Sequence, residues 1–183
     1  MTALAGRIAA RVSGKRIALI ALAIGVGTVL AISLSRPAKS SARAVTALGA
    51  VELPMLDNEH ATLSLPLHNG RPMVVNFFAS WCEPCRRELP RLARAASAQT
   101  GAVDFVGIDH QDSRARAQEM LRQAGVGYPA GYDHAGVLAR KLGAPGMPFT
   151  LFVDGRGRIV DKVIGELSQQ DLDRGLLLLG SRK

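Results

Sequence analysis

The stretch MVVNFFASWCEPC, residues 73–85, joins a nearly continuous apolar run to the chain's two cysteines. A run as dense as Met73–Ala79 marks a strand buried on both faces. Behind Pro84, Leu89, Leu92, Ala93 and Ala96 recur at helical spacing, with Arg87, Arg91 and Arg94 on the opposite side. A strand, a short loop and a helix in this order bring the first sulfur to the helix N-terminus. There it meets unsatisfied N–H groups and the positive end of the helix dipole. Both favour thiolate over thiol and lower the cysteine pKa from ~8.5, which makes Cys82 the nucleophile. Cys85, one turn inside the helix, is less exposed but close enough to displace the first sulfur from a mixed disulfide. Pro84 suits a first-turn position, where its missing N–H costs nothing, and Arg86 and Arg87 add positive potential.

Outward from this centre, strands and helices alternate. Upstream, Val51–Leu56 and Ala61–Leu65 flank Asp57-Asn58-Glu59-His60 as a β-hairpin. Downstream, Val103–Ile108 reads as a strand. Ala117, Met120, Leu121 and Ala124 form a helical stripe that Asp112 or Ser113 can cap. A second short helix is expected from about His134 to Leu142, stopped near Gly143 and Pro145. Phe149–Val153 and Arg158–Ile164 are strands around the turn Asp154-Gly155-Arg156-Gly157. Ser168-Gln169-Gln170-Asp171 is a capping box before a helix with the buried stripe Leu172, Leu176 and Leu179. The class is α/β, a mixed sheet with helices on both faces. Asp109 and His110 end a strand near the expected active edge and are given no role.

The formal charge of +8 suggests nucleic acid until it is divided along the chain. Seven of the 23 Lys and Arg lie in residues 1–44, which contain no Asp or Glu; the remainder of the chain has 16 basic against 15 acidic residues. No basic stripe is interleaved with aromatics, so nucleic acid is not an expected partner. Ile17–Ser35 is instead an uncharged apolar run, long enough as a helix to span a bilayer's hydrocarbon core. Four basic residues precede it and three follow, a weak positive-inside bias. The expected organisation is a cytoplasmic N-terminus (1–16), a transmembrane helix (17–35), a linker (36–47) and the catalytic domain (48–183). A cleaved signal peptide ending near Ala42-Arg43-Ala44 is the rival, although that site lies far beyond the apolar run.

Other readings of the cysteine pair are weaker. A structural disulfide at this spacing closes a very short loop, the least stabilising kind. A zinc site needs two more ligands, and His60, His68, His110 and His134 lack ligand spacing. Copper held by two soft sulfurs stays open as a secondary role. A peroxidase would need a Pro and a Thr or Ser upstream of its cysteine, where Ala79 and Val75 stand. No cofactor or resident metal is expected.

WCEPC after an apolar strand, followed by Gly146-Met147-Pro148 before another strand, resembles the thioredoxin superfamily. The likeness is to its membrane-anchored extracytoplasmic branch of TlpA, ResA and DsbE type. It extends over about residues 47–180, including the N-terminal hairpin and an inserted helix around 113–124. The resemblance implies a thioredoxin-like fold behind one N-terminal transmembrane helix, with Pro148 as a cis-proline facing the cysteines. Met147 then offers its backbone to an extended substrate by strand addition. Thioredoxins carry a buried Asp six residues before the first Cys; here that position is Asn76, which cannot exchange a proton. The branch compensates with an acid three residues after the second Cys, here Glu88. Trp81 is expected to pack beside the sulfurs and shield them. The implied partners are protein disulfides or dithiols, apocytochrome c foremost, and a membrane thiol electron donor. Phe149 departs from the acid that dedicated cytochrome c maturation reductases often carry at that place. The alternatives are an oxidant that donates its disulfide to folding secreted proteins, and an anchored copper-handling protein.

Overall fold

The computed structural model describes residues 47–67 and 69–180. The apolar run Ile17–Ser35, the N-terminus before it and the linker up to residue 46 lie outside the described residues. Among the described residues, no helix is long and apolar enough to cross a membrane.

The run read from the sequence as a doubly covered strand is β3 (Met73–Phe78), and every residue of it is buried. It forms the centre of a five-stranded sheet in the order β5-β4-β3-β6-β7. β4 (Asp104–His110) lies parallel to β3 and to β5 (Ala130–Asp133). β6 (Phe149–Val153) is antiparallel to both β3 and β7 (Ile159–Ile164). A separate antiparallel hairpin pairs β1 (Val51–Pro54) with β2 (Thr62–Leu65).

Strand periodicity sends alternate residues to opposite faces, and the core divides accordingly. Val74, Phe78, Phe105 and Phe152 pack with Leu89 and Leu92 of α1 (Glu83–Ala98), Ala117 and Met120 of α2 (Arg114–Gln123), and Leu172 and Leu179 of α4 (Gln169–Gly180). On the other face, Val75, Phe77, Val106, Ile108 and Leu151 meet Leu63 and Leu65 of the hairpin and Leu138 of α3 (Val137–Lys141).

Three differences from the sequence reading have physical causes. β5 was not expected, because AGYD is short and shows no alternation. It exists through pairing with β4, and Gly131 permits the hairpin to lie against it, since a Cβ there would stand 2.9 Å from Leu63 Cδ2. The helix expected from His134 begins only at Val137, where Asp133 accepts the amides of Leu138 and Ala139. In α4, Gly175 joins Leu172 and Leu179 as a buried position while Leu176 is only partly buried. A Cβ on Gly175 would fall 2.1 Å from the Phe152 ring, so glycine sets how closely this helix approaches the sheet. The expected capping box does form. Ser168 Oγ accepts the Asp171 amide at 3.1 Å and donates to the Asp171 carboxylate. The peptide bonds before Pro66 and Pro148 are cis.

Candidate active site

β3 ends at Phe78, and the chain turns through Ser80 and Trp81 into α1 with Cys82 as its N-cap. Cys82 has extended backbone angles, and its Sγ accepts the Cys85 amide at 3.2 Å, filling one of the helix's open donors. Cys82 and Cys85 are joined as a disulfide, with Cα atoms 5.3 Å apart. Cys82 is 4% exposed and Cys85 is 0% exposed, so an incoming thiolate meets Cys82 first.

Asp112 fixes the loop before the disulfide. Its carboxylate accepts the Ser80 backbone amide, the Ser80 hydroxyl at 2.8 Å and the Ser113 amide at 2.7 Å. Ser113, not Asp112, holds the N-cap position of α2, without a side-chain bond. Trp81 is 60% exposed, and its indole N–H donates to the Gln111 carbonyl at 3.3 Å.

Glu88 is buried, one turn beyond Cys85. Its Oε1 accepts from Asn76 Nδ2 at 2.7 Å, and its Oε2 accepts the Leu167 amide at 2.6 Å. Asn76 Nδ2 also donates to Thr150 Oγ1 at 3.0 Å. Burial pushes the Glu88 carboxyl up to about 7, although both hydrogen bonds favour the ionised form and pull the other way. Glu88 is therefore poised to change charge at neutral pH, which the sequence alone could not establish.

The arginines opposite the apolar stripe of α1 are partly engaged by the protein. Arg87 forms an ion pair with Glu166 at 2.6 Å and a longer one with Glu83 at 3.9 Å, and Arg91 donates to the Leu167 carbonyl. Arg86 pairs with Glu83 at 3.6 Å and donates to the Ser80 carbonyl. The positive charge next to the disulfide is thus matched by acids, and the turn at 166–167 is fastened to α1 around Glu88.

Pro148 is buried and its carbonyl accepts the Gly165 amide at 3.0 Å. Phe149 pairs with Phe77, which places the cis-proline at the sheet edge from which the cysteine loop departs. Met147, half-buried, packs against the cluster that contains both cysteines. Ile164, opposite Phe149 in the ladder, is 67% exposed at the same edge and was not singled out by the sequence.

Residues 28–162 of this chain match the AhpC/TSA family. The chain belongs to that family. Within it, Ala79 and Val75 separate this member from the peroxidase pattern described above. The thiol:disulfide interchange protein HelX of Rhodobacter capsulatus is 33% identical over 135 residues, covering 72% of this chain and 75% of that protein. The thiol:disulfide interchange protein DsbE of Yersinia pestis is 32% identical over 62% of this chain, which spans only 59% of that protein's length. Among solved structures, a secreted Mycobacterium tuberculosis disulfide oxidoreductase homologous to Escherichia coli DsbE superposes with a TM-score of 0.62 at 25% identity. That alignment covers 69% of this chain and 94% of the other. This family member is a thiol–disulfide oxidoreductase of the DsbE, HelX and ResA type with a C-x-x-C pair.

Proposed function

We propose that the enzyme reduces disulfides in exported proteins, apocytochrome c first among them, through the pair Cys82 and Cys85. In the reduced protein the Cys82 thiolate attacks a substrate disulfide, the substrate S–S bond breaks, and the departing sulfur takes a proton. Cys85 loses its proton and attacks Cys82 Sγ, which re-forms the Cys82–Cys85 disulfide and releases the second substrate thiol. Two electrons pass to the substrate, and a membrane thiol donor restores the dithiol. Glu88 is the acid placed to hold or deliver the proton of Cys85. Met147 and Pro148 receive extended substrate by strand addition, and the exposed Trp81 offers it an apolar contact.

The observation that carries the direction is the charge around the N-cap. A strong oxidant needs its thiolate greatly stabilised. Here Glu83, Glu88 and Glu166 lie along or against the first turns of α1, and the nearby Arg86 and Arg87 are already paired with acids. The thiolate gains the helix terminus but little net positive charge. Equilibration with glutathione is expected to give a potential nearer about −270 mV than about −120 mV. A value above about −180 mV would overturn the reductase reading and favour the oxidant.

The proposed location is the extracytoplasmic side of a membrane, with Ile17–Ser35 as a single-pass anchor and residues 36–47 as linker. The length and composition of that run support it. Full-length protein is expected to sediment with membranes and residues 45–183 to remain in the supernatant. A truncated form that still sediments would exclude this anchor.

A further inference from the structure

Asp109 is a buried acid that the reaction as described leaves unused. It is 0% exposed, and neither carboxylate oxygen has a hydrogen-bond partner. Buried carboxylates without partners are rare in folded proteins, because an unpaired charge in such a place is costly. Its place in the sheet says what it adjoins. Asp109 lies near the end of β4, between Phe78 of β3 and Tyr132 of β5 in the ladder. Phe78 belongs to the apolar cluster that buries Cys82 and Cys85, and Tyr132 packs against it. Strand alternation turns Asp109 to that same face, with Asn76 and Phe105, while His110 faces the other side beside Asp133.

The charged and titratable groups around it come from several elements. Asp112, in the loop before α2, holds Ser80 ahead of the disulfide, and its negative charge opposes ionisation of Asp109. Arg114 of α2 favours ionisation, but its guanidinium is engaged by the Met55 and Leu56 carbonyls and lies 4.2 Å over the Tyr132 ring. Tyr132 directs its hydroxyl to the Asp112 carbonyl. Tyr128, preceding β5, is half-buried against this cluster with its buried hydroxyl unpartnered, and Glu88 approaches the face from α1 through Asn76. Burial, with Asp112 second, pushes Asp109 up to about 8.

We propose that Asp109 is a proton-linked positioning residue of the Cys82–Cys85 couple, taking up a proton as the disulfide is reduced and releasing it as the disulfide re-forms. Reduction by a dithiol breaks the Cys82–Cys85 bond and leaves Cys85 as thiol and Cys82 as thiolate. The donor dithiol becomes a disulfide and releases two protons. Cys85 takes one. The new negative charge at Cys82 makes ionised Asp109 less favourable, so Asp109 takes the other. Charge on this face thus stays nearly constant through the cycle in mildly alkaline solution. The linkage acts through space and through the Asp112–Ser80 bonds, with no contact between Asp109 and sulfur.

The inference rests on the redox role proposed for Cys82 and Cys85, and the test separates the two. Full-length wild type and Asp109→Asn are each equilibrated with glutathione from about pH 6 to about pH 10. Near pH 6, where Asp109 is protonated in both redox states, the ratio of their exchange constants is flat. Above about pH 8 the wild-type dithiol becomes progressively disfavoured relative to Asp109→Asn, by several-fold to tenfold. Parallel profiles overturn the proposal. Absence of any exchange in wild type overturns the redox assignment instead. Should Asp109→Asn fail to fold, the redox-induced infrared difference spectrum of wild type near pH 8.5 decides. A protonated-carboxyl band that appears on reduction and persists in Glu88→Gln is the expected result; no such band in Glu88→Gln is contrary to the proposal.

Discussion

Cys85→Ala is expected to accumulate covalent complexes with substrate through Cys82, whereas Cys82→Ala accumulates none. Both variants lose turnover by at least about a thousandfold, as removal of a nucleophile does in other enzymes. The asymmetry follows from the N-cap. Cys82 Sγ accepts an amide of the first turn of α1, and Cys82 is the cysteine with residual exposure, while Cys85 has none. A helix terminus stabilises the anion that must attack. Without Cys85 the mixed disulfide on Cys82 has no resolving thiol and persists. Without Cys82 the remaining sulfur is buried and lies inside the helix instead of at its open end. Non-reducing electrophoresis of cell extracts reads the complexes. Alkylation of the two single-cysteine variants against pH reads the thiol pKa, expected below ~8.5 for Cys82 alone. Equal trapping by the two variants would remove the assigned roles.

The parts of the fold that were legible are those whose signal is local. Met73–Phe78 declares itself by continuous apolarity, α1 by Leu89, Leu92 and Ala93, and α4 by the box at Ser168 and Asp171. β5 is legible only through its neighbours. Its four residues carry no pattern, and its strand state is imposed by β4 and by the hairpin lying over Gly131. The same reason applies to Gly175, which reads as a weak helix residue and proves to be the contact with Phe152.

The site divides in the same way. Cys82 and Cys85 are adjacent in sequence, and their chemistry follows from spacing. Glu88 was selected by resemblance, but its bonds tie α1 back to Asn76 of β3 and across to the Leu167 amide, 79 residues further along the chain. The sequence treated Asn76 as the loss of a proton acceptor; in the fold it is the donor that holds the replacement. Trp81 was expected beside the sulfurs, and no local feature foretold its bond to the Gln111 carbonyl or its 60% exposure. Asp109 and Asp112 come from the end of β4 and the loop after it, and only the parallel register with β3 brings that segment to the cysteine loop.

Wild type is expected to lose stability as pH rises from about 5 to about 8, and Glu88→Gln to lose much of that dependence. The Glu88 carboxyl stands near 7 in the folded protein against 4.5 for an unperturbed glutamate. An acid raised on folding favours the fold fully below its unfolded pKa, and that contribution disappears as pH climbs through the folded value. For Glu88 the window is about 4.5 to 7, and the change amounts to about 3 kcal/mol. Asp109 acts with the same sign up to about 8, so the variant keeps a residual slope. Glutamine can be accommodated here. Its carbonyl accepts the fixed Leu167 amide, and its NH₂ then faces Asn76, whose Oδ1 has no partner as it stands. A turned Asn76 amide accepts from both that NH₂ and the Thr150 hydroxyl. Chemical denaturation across this range measures the stability difference, with Glu88→Gln the more stable protein near pH 8. Thiol exchange on the same samples tests the proton role. If Glu88 serves Cys85, the wild-type rate profile has an inflection near pH 7 that the variant lacks, and the variant is slower at neutral pH. A flattened stability profile with an unchanged rate profile would make Glu88 a buried structural acid with no part in proton transfer.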